Sequence, residues 1–176
     1  MNLVETKSQN PSYITTPYTV AVDSREQHPY TFHGYLSDEN RGRLPLVIPT
    51  QVIGLKTGDY SILGMEDRIS VERKSLADLY GTLTAGRKRF EAEMSRLSAM
   101  ECSAVVIEAS LSDLIRSPPS RSKVSPKVIY RTWISWQHRW RIPWHLCDSR
   151  ALAERTTFRI LDWFWNEDRK ANGGRK

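Results

Sequence analysis

The chain has 176 residues, of which 39% are apolar, and carries 26 Lys and Arg against 20 Asp and Glu, a net charge of +6. That length suits one domain, which buries roughly 70% of its unfolded surface on folding, and the basic excess favours a polyanionic partner over an acidic substrate pocket. No run of about 18 apolar residues exists to span a membrane, and neither the two cysteines, Cys102 and Cys147, nor His28, His33, His138 and His145 show zinc spacing. This is the pattern of a reduced, cytosolic protein without a structural metal.

Residues 1–17 read as a loose arm, polar and without an apolar signal core. "YTVAVDS" (18–24) is β-branched and apolar, which predicts a buried strand ending in a polar turn. The following stretch to Pro45 is rich in Gly, Pro and polar residues and reads as a loop. "TQVIGLKTGDYSILG" (50–64) holds two short strand-like runs around "KTGDY". "RISVERK" (68–74) is a further strand, and "GMED" between them has hairpin-turn chemistry. A helix is expected from Ser75, where "SLAD" forms a capping box with Ser75 as N-cap and Asp78 reaching back to its amide. Gly81 and Gly86 interrupt that helix, which resumes over 87–100. "CSAVVIEAS" (102–110) predicts a buried central strand, and "SLSDLIRS" a short capped helix ended by Pro118 and Pro119. A basic Ser/Pro-rich loop, "PPSRSKVSP", leads into an amphipathic helix over 126–140, with Pro126 in its first turn. "IPWHLCD" (142–148) is a sixth strand, and 149–170 the last helix, before a tail over 171–176. Strands come first and then alternate with helices. That order predicts one α/β domain over 18–170, with a central mixed sheet flanked by helices.

One cluster of residues carries chemistry. Asp59 lies where a strand turns, and Glu72 and Lys74 sit two apart in the next strand. Side chains two apart on a strand share a face. A hairpin at "GMED" would bring Asp59 to about 5 Å from the strand of Glu72. Two carboxylates and an ammonium would then converge, with Asp23 at the end of the first strand as a third carboxylate. Oxygen ligands of this kind suit Mg²⁺ (or Mn²⁺), which binds through one or two carboxylates and keeps several waters. Such an ion lowers the pKa of water and neutralises charge on a scissile phosphate. A nearby lysine orients the attacking water or stabilises developing negative charge. Taken alone, a Glu-Arg-Lys run is more often a solvated strand edge, Asp59 is ordinary turn chemistry, and Asp78 is accounted for by the capping box. It is the combination of carboxylates at strand ends, a lysine in phase and a basic chain that points to phosphodiester hydrolysis.

"GDYSILGMEDRISVERKSLAD" resembles the GDx(n)ERKxxxD signature of the XPF family of structure-specific endonucleases. "VAVDSRE" is similar to that family's upstream strand end, "GTLTAGRKRFEAEM" to its Gly-Arg segment, and "SAVVIEAS" to its next buried strand. The likeness covers roughly residues 18–166. It implies the PD-(D/E)XK restriction-endonuclease-like fold and a metal-dependent endonuclease acting on branched or partly single-stranded DNA. By the same resemblance Asp59 and Glu72 are metal ligands, with Asp23 a ligand or bridging carboxylate. Lys74 is the catalytic lysine, and Arg25 and Glu26 belong to the rim of the site. Arg73 belongs to the motif, although strand alternation points it away from Lys74, so it braces the site or reaches DNA at the edge. Arg87 contacts a phosphate. No nucleotide cofactor is implied. Most family members carry a tandem helix-hairpin-helix domain after the nuclease, for which this chain, ending at Lys176, leaves no room. The expected setting is the cytoplasm of a bacterial or phage-infected cell, in association with the nucleoid.

Two rival readings stay open: a DNA-binding pseudonuclease acting as a partner subunit, and a junction-resolving or restriction-type nuclease on the same fold. Trp133, Trp136 and Trp140 recur at helical spacing and predict a buried face. Leu161, Trp163, Phe164 and Trp165 cannot all point one way on a helix. The uncovered aromatics predict a homodimer through the C-terminal helices.

Overall fold

The computed structural model describes residues 12–37, 43–116, 118–119 and 122–173. Residues 1–11 of the expected arm, 174–176 of the tail, Ser117 at the end of the expected short helix, and Ser120 and Arg121 of the basic loop lie outside the described residues. Two short strands, β1 (Ile14–Thr15) and β3 (Tyr35–Leu36), flank β4 (Pro45–Val47) in a small sheet of order β1-β4-β3. The sequence reading had a loop over residues 25–45. Two- and three-residue strands are too short to show alternation, so the pattern gave them no signal.

The main sheet has six strands: β2 (Val20–Asp23), β5 (Thr50–Ile53), β6 (Tyr60–Ile62), β7 (Ile69–Lys74), β8 (Cys102–Ile107) and β9 (Trp144–Leu146). Their order is β5-β2-β6-β7-β8-β9. β6 and β7 form the expected antiparallel hairpin with Tyr60 opposite Val71, and β2 pairs antiparallel to β6. The pairs β2–β5, β7–β8 and β8–β9 are parallel. Parallel neighbours need crossover connections; the stretch carrying β3 and β4 connects β2 to β5, and helices connect β7 to β8 and β8 to β9. These are α1 (Leu76–Thr82), α2 (Arg87–Leu97), α3 (Leu111–Arg116) and α4 (Pro126–Trp140), with α5 (Arg150–Gly173) closing the chain. The α/β mixed sheet flanked by helices is therefore present as expected.

Alternation along the strands divides the core in two. On one face Val20, Val22, Ile69, Val71 and Val106 pack with Phe158, Leu161 and Phe164 of α5. On the other, Val105 and Ile107 pack with Leu79, Phe90, Met94, Ile129 and Trp136 from α1, α2 and α4. Trp136 and Trp144 are buried, and Trp133 and Trp140 pack against the same cluster, so the face expected at 133, 136 and 140 is core. Among the described residues no helix is long and apolar enough to cross a membrane.

The cap of α1 differs in one detail from expectation. The Ser75 hydroxyl accepts from the Asp78 amide (3.1 Å), but Asp78 answers by accepting from that hydroxyl (2.6 Å) rather than from the Ser75 amide.

Candidate active site

Alternation along β7 also sorts the charged run. Glu72 is level with Val105 and Arg73 with Val106 across the parallel pair. Glu72 and Lys74 therefore face α1 and α2, while Arg73 faces α5. Lys74 confirms the phase: its Nζ lies 4.8 Å from the centre of the Phe90 ring on α2.

Asp59 precedes β6 and sits beside β7, its amide donating to Val71 O (3.0 Å). The tight approach depends on Gly58. Its φ is +72°, and a Cβ there would lie 1.9 Å from Ser70 Oγ. From this position Asp59 Oδ2 accepts the Arg73 amide at 2.7 Å. The Asp23 amide in turn donates to Asp59 O (2.9 Å), so β2, the turn at Asp59 and β7 bring three carboxylates to one end of the sheet.

Their environments differ. Glu72 is 3% exposed; Oε1 accepts from Lys74 Nζ, and Oε2 is buried with no hydrogen-bond partner. Burial pushes the Glu72 carboxyl well above the ordinary range, the Asp59 charge adds to this, and Lys74 opposes it. Burial likewise raises Asp59, only partly offset by the Arg73 amide and Lys74, to about 6. For Lys74 burial works against the ammonium, but Glu72 outweighs it and holds the lysine above its usual range. The result is a permanent cation beside two carboxyls that resist ionising together.

Asp23 is built otherwise. Its two oxygens accept from Arg25 at 2.5–3.1 Å, and the Arg25 amide also donates to it (2.8 Å). Burial disfavours its charge, yet the Arg25 hydrogen bonds win and its pKa is lowered. With both oxygens engaged, Asp23 anchors Arg25, which also donates to Leu55 O (2.7 Å). Among the described residues no group of three or more His, Cys, Asp or Glu is arranged to hold a metal. Two carboxylates suffice for Mg²⁺, which keeps waters in its remaining positions. Asp59 and Glu72, with its unpartnered oxygen, fit that requirement; Asp23 in its present arrangement offers no free oxygen.

A cleft of about 850 Å³ opens over the site. Arg25, Glu26, Gln27 and His28 form one wall, Asp59, Arg73 and Lys74 line its base, and α1 with Gly86 and Arg89 forms the other side. Asp78 lines it too. Arg87 does not: its guanidinium lies 5.3 Å from the centre of the Trp136 ring and pairs with Glu91 (3.2 Å). Arg89, exposed and two residues on, is the helix arginine on the cleft. Glu26 is held inside the wall, accepting from the His28 amide (2.6 Å) and Arg73 (3.3 Å).

Sequence reasoning missed Arg89 and Glu93. The Glu93 charge acts on Asp59, Glu72 and Lys74 and raises all three. The signal was available in helical spacing: Phe90 and Met94 are buried inward, so Glu93, three after Phe90, belongs near the same face.

A family model described as the ERCC4 domain matches residues 22–159. Among solved structures, the chain is similar to XPF from Aeropyrum pernix in complex with DNA. There the identity is 20% and the TM-score 0.57, over 85% of this chain and 66% of that one. It is also similar to a second structure of XPF from Aeropyrum pernix, at 22% identity and TM-score 0.53, over 82% of this chain and 58% of that one. The chain thus spans a little under two thirds of the length of these relatives, and the likeness shows the fold. Among curated proteins none matches the chain.

Proposed function

The chain belongs to the ERCC4 domain family, as an XPF-type nuclease domain, and from that premise we propose that it is a divalent-metal-dependent DNA endonuclease acting on branched or partly single-stranded DNA. The observation that carries the reading is the unpartnered, buried Oε2 of Glu72, whose charge interacts with those of Asp59 and Lys74, the two groups that line the open cleft. A buried carboxylate oxygen without a partner costs about 1–3 kcal/mol or more, and a cation bound there relieves that cost.

Asp59 and Glu72 would hold Mg²⁺ or Mn²⁺. When bound, such an ion supplies Lewis acidity, withdrawing charge from a phosphoryl oxygen and acidifying water. The chain's own groups do the rest. Lys74, fixed by Glu72 and resting on Phe90, keeps a positive charge near the base of the cleft, where it stabilises charge building on the phosphate. The Arg73 amide fixes Asp59 through Oδ2, leaving Oδ1 as the oxygen that would face the ion. Arg25, tethered by Asp23 yet exposed, and Arg89 both line the cleft and would receive backbone phosphates of the bound DNA. That one relative is an XPF in complex with DNA supports the choice of polyanion.

We also propose a homodimer through α5. Leu161 and Phe164 belong to the core, and Trp165 packs on Tyr18 with ring centres 5.4 Å apart. The expected aromatic patch therefore narrows to Trp163, 57% exposed, with the exposed Leu152 on the same helix. The nuclease reading is tested by incubating purified protein with Mg²⁺ or Mn²⁺ and labelled flap, fork, bubble, junction and duplex DNA. Cutting of branched substrates that disappears with EDTA and in Glu72→Gln supports it. DNA binding without cutting under every metal favours the pseudonuclease instead, and preferential cutting of junctions or plain duplex favours the resolvase or restriction type.

A further inference from the structure

The α5 side of the same sheet end carries a second ionic cluster. Glu108, just beyond β8, accepts from Arg73 through both oxygens, Nε to Oε1 at 2.8 Å and Nη2 to Oε2 at 2.7 Å. Arg150, at the start of α5, donates to the same Oε1 (2.9 Å) and, through Nη2, to the carbonyls of His28 (2.8 Å) and Pro29 (2.9 Å). Tyr30 lies between them, its ring centre 5.8 Å from the Arg73 guanidinium and 4.8 Å from that of Arg150. The Arg73, Glu26 and Glu108 side chains are each 10% exposed or less. Two arginines meet two carboxylates, so the charges balance without DNA. Arg73, although it borders the cleft, is already committed.

We propose that Glu108 is a positioning residue of the catalytic cleft: by clamping Arg73 and Arg150 together, it holds the wall formed by residues 26–30 against the sheet end and keeps the Arg73 amide against Asp59. The geometry favours this over a plain structural ion pair because both ends of the clamp finish at the cleft. Arg73 reaches the site through its own backbone amide, 2.7 Å from Asp59 Oδ2. Arg150 reaches it through two backbone carbonyls of the wall, and the adjoining Tyr30 amide donates to the Tyr60 hydroxyl (2.8 Å). Glu108 itself touches neither the cleft nor the catalytic carboxylates. A bidentate carboxylate–guanidinium pair is the most directional ionic contact available to side chains, and displacement of a reacting group by about 1 Å costs on the order of 100-fold in rate.

The effect on cutting rests on the nuclease reading, so the test includes a measurement that does not. Glu108→Gln keeps the shape and loses the charge. Arg150→Lys, at a half-exposed position, keeps the charge and loses the paired carbonyl contacts. Both are compared with wild type for turnover at saturating DNA, half-saturating DNA concentration, and amide hydrogen exchange. Turnover should fall about 10- to 100-fold. Half-saturation should stay the same or tighten, because the arginines released from Glu108 add positive charge. The Arg73 amide in Glu108→Gln and the Tyr30 amide in Arg150→Lys should exchange at least about 10-fold faster. Turnover within twofold of wild type in both variants, or unchanged exchange at both amides, would overturn the proposal. A rise in half-saturating DNA matching the fall in turnover would overturn it as well, since it would make the cluster a DNA contact. Should Glu108→Gln not fold, Arg150→Lys decides alone. Should wild type cut no DNA, the nuclease reading fails while the two exchange rates still judge the clamp.

Discussion

Asp59→Asn should make the metal-free protein more stable at neutral pH, although it removes a carboxylate that the proposed cutting requires. In the fold the Asp59 carboxyl titrates at about 6, because burial disfavours its charge. In the unfolded chain it titrates near 3.9. A folded-state pKa raised in this way contributes stability that is complete below about pH 4 and is lost as pH rises through about 6. The size of that loss is about 3 kcal/mol at most, and Glu72, raised for the same reasons, acts in the same direction. Asparagine keeps an oxygen for the Arg73 amide and removes the ionisation. At pH 7 and in EDTA the variant should therefore exceed wild type by about 2–3 kcal/mol, or roughly 5–10 °C in melting temperature for a chain of this length. Urea unfolding at pH 4.5, 5.5 and 7 reads both the difference and its slope. Wild type should weaken across that window, and the variant should weaken less. Mg²⁺ or Mn²⁺ at 100 times its dissociation constant should return about 2.7 kcal/mol to wild type and much less to the variant. Wild type as stable at pH 7 as at pH 5 without metal, together with no gain in Asp59→Asn, would refute the account of the site as a charge-strained cation receptor.

Gly58→Ala should cost about 2–4 kcal/mol, combining left-handed backbone strain with displacement of the Ser70 hydroxyl from its 3.0 Å bond to Thr57 O; a denaturation midpoint equal to wild type would count against the tight turn. Arg89→Ala should weaken binding to all DNA sequences alike and make the salt dependence shallower by about one counterion, whereas Arg87→Ala should leave that slope unchanged; the reverse pattern would return the phosphate contact to Arg87. Light scattering at micromolar concentration should give twice the 20.3 kDa chain mass, lost in Trp163→Asp without unfolding; a mass of 20.3 kDa throughout would remove the α5 dimer.

The main sheet was legible because its strands are punctuated by turn chemistry and its helices by caps. Pro126 and the capped Ser75 placed the starts of α4 and α1 within a residue. The convergence of Asp59, Glu72 and Lys74 was legible too, since a hairpin and a period of two are enough to derive it. What could not be read were contacts set by tertiary packing. Nothing local says that Asp23 spends both oxygens on Arg25, or that Arg87 lies over Trp136, forty-nine positions away in the chain, and leaves the cleft to Arg89. Helical phase alone cannot choose between Arg87 and Arg89, because it fixes their relative direction and not the direction of the sheet. The aromatics of α5 failed for a similar reason: Trp165 is covered by Tyr18, which lies at the far end of the chain.

The adjacency of Glu72, Arg73 and Lys74 now has a physical reason. A strand end delivers consecutive side chains to opposite faces, so one short run can serve two tasks without Arg73 competing for Glu72. Glu72 and Lys74 face α2 and make the proposed reacting surface, while Arg73 faces α5 and is consumed by Glu108 and Glu26. The two faces communicate through the backbone between them, since the amide of the bracing residue holds the carboxylate of the reacting face. Lysine in place of Arg73 would keep the charge but could not grip both oxygens of Glu108 at once. The motif's middle position therefore asks for arginine in particular, and its side chain, committed to Glu108 and Glu26, acts on the site through its own backbone amide.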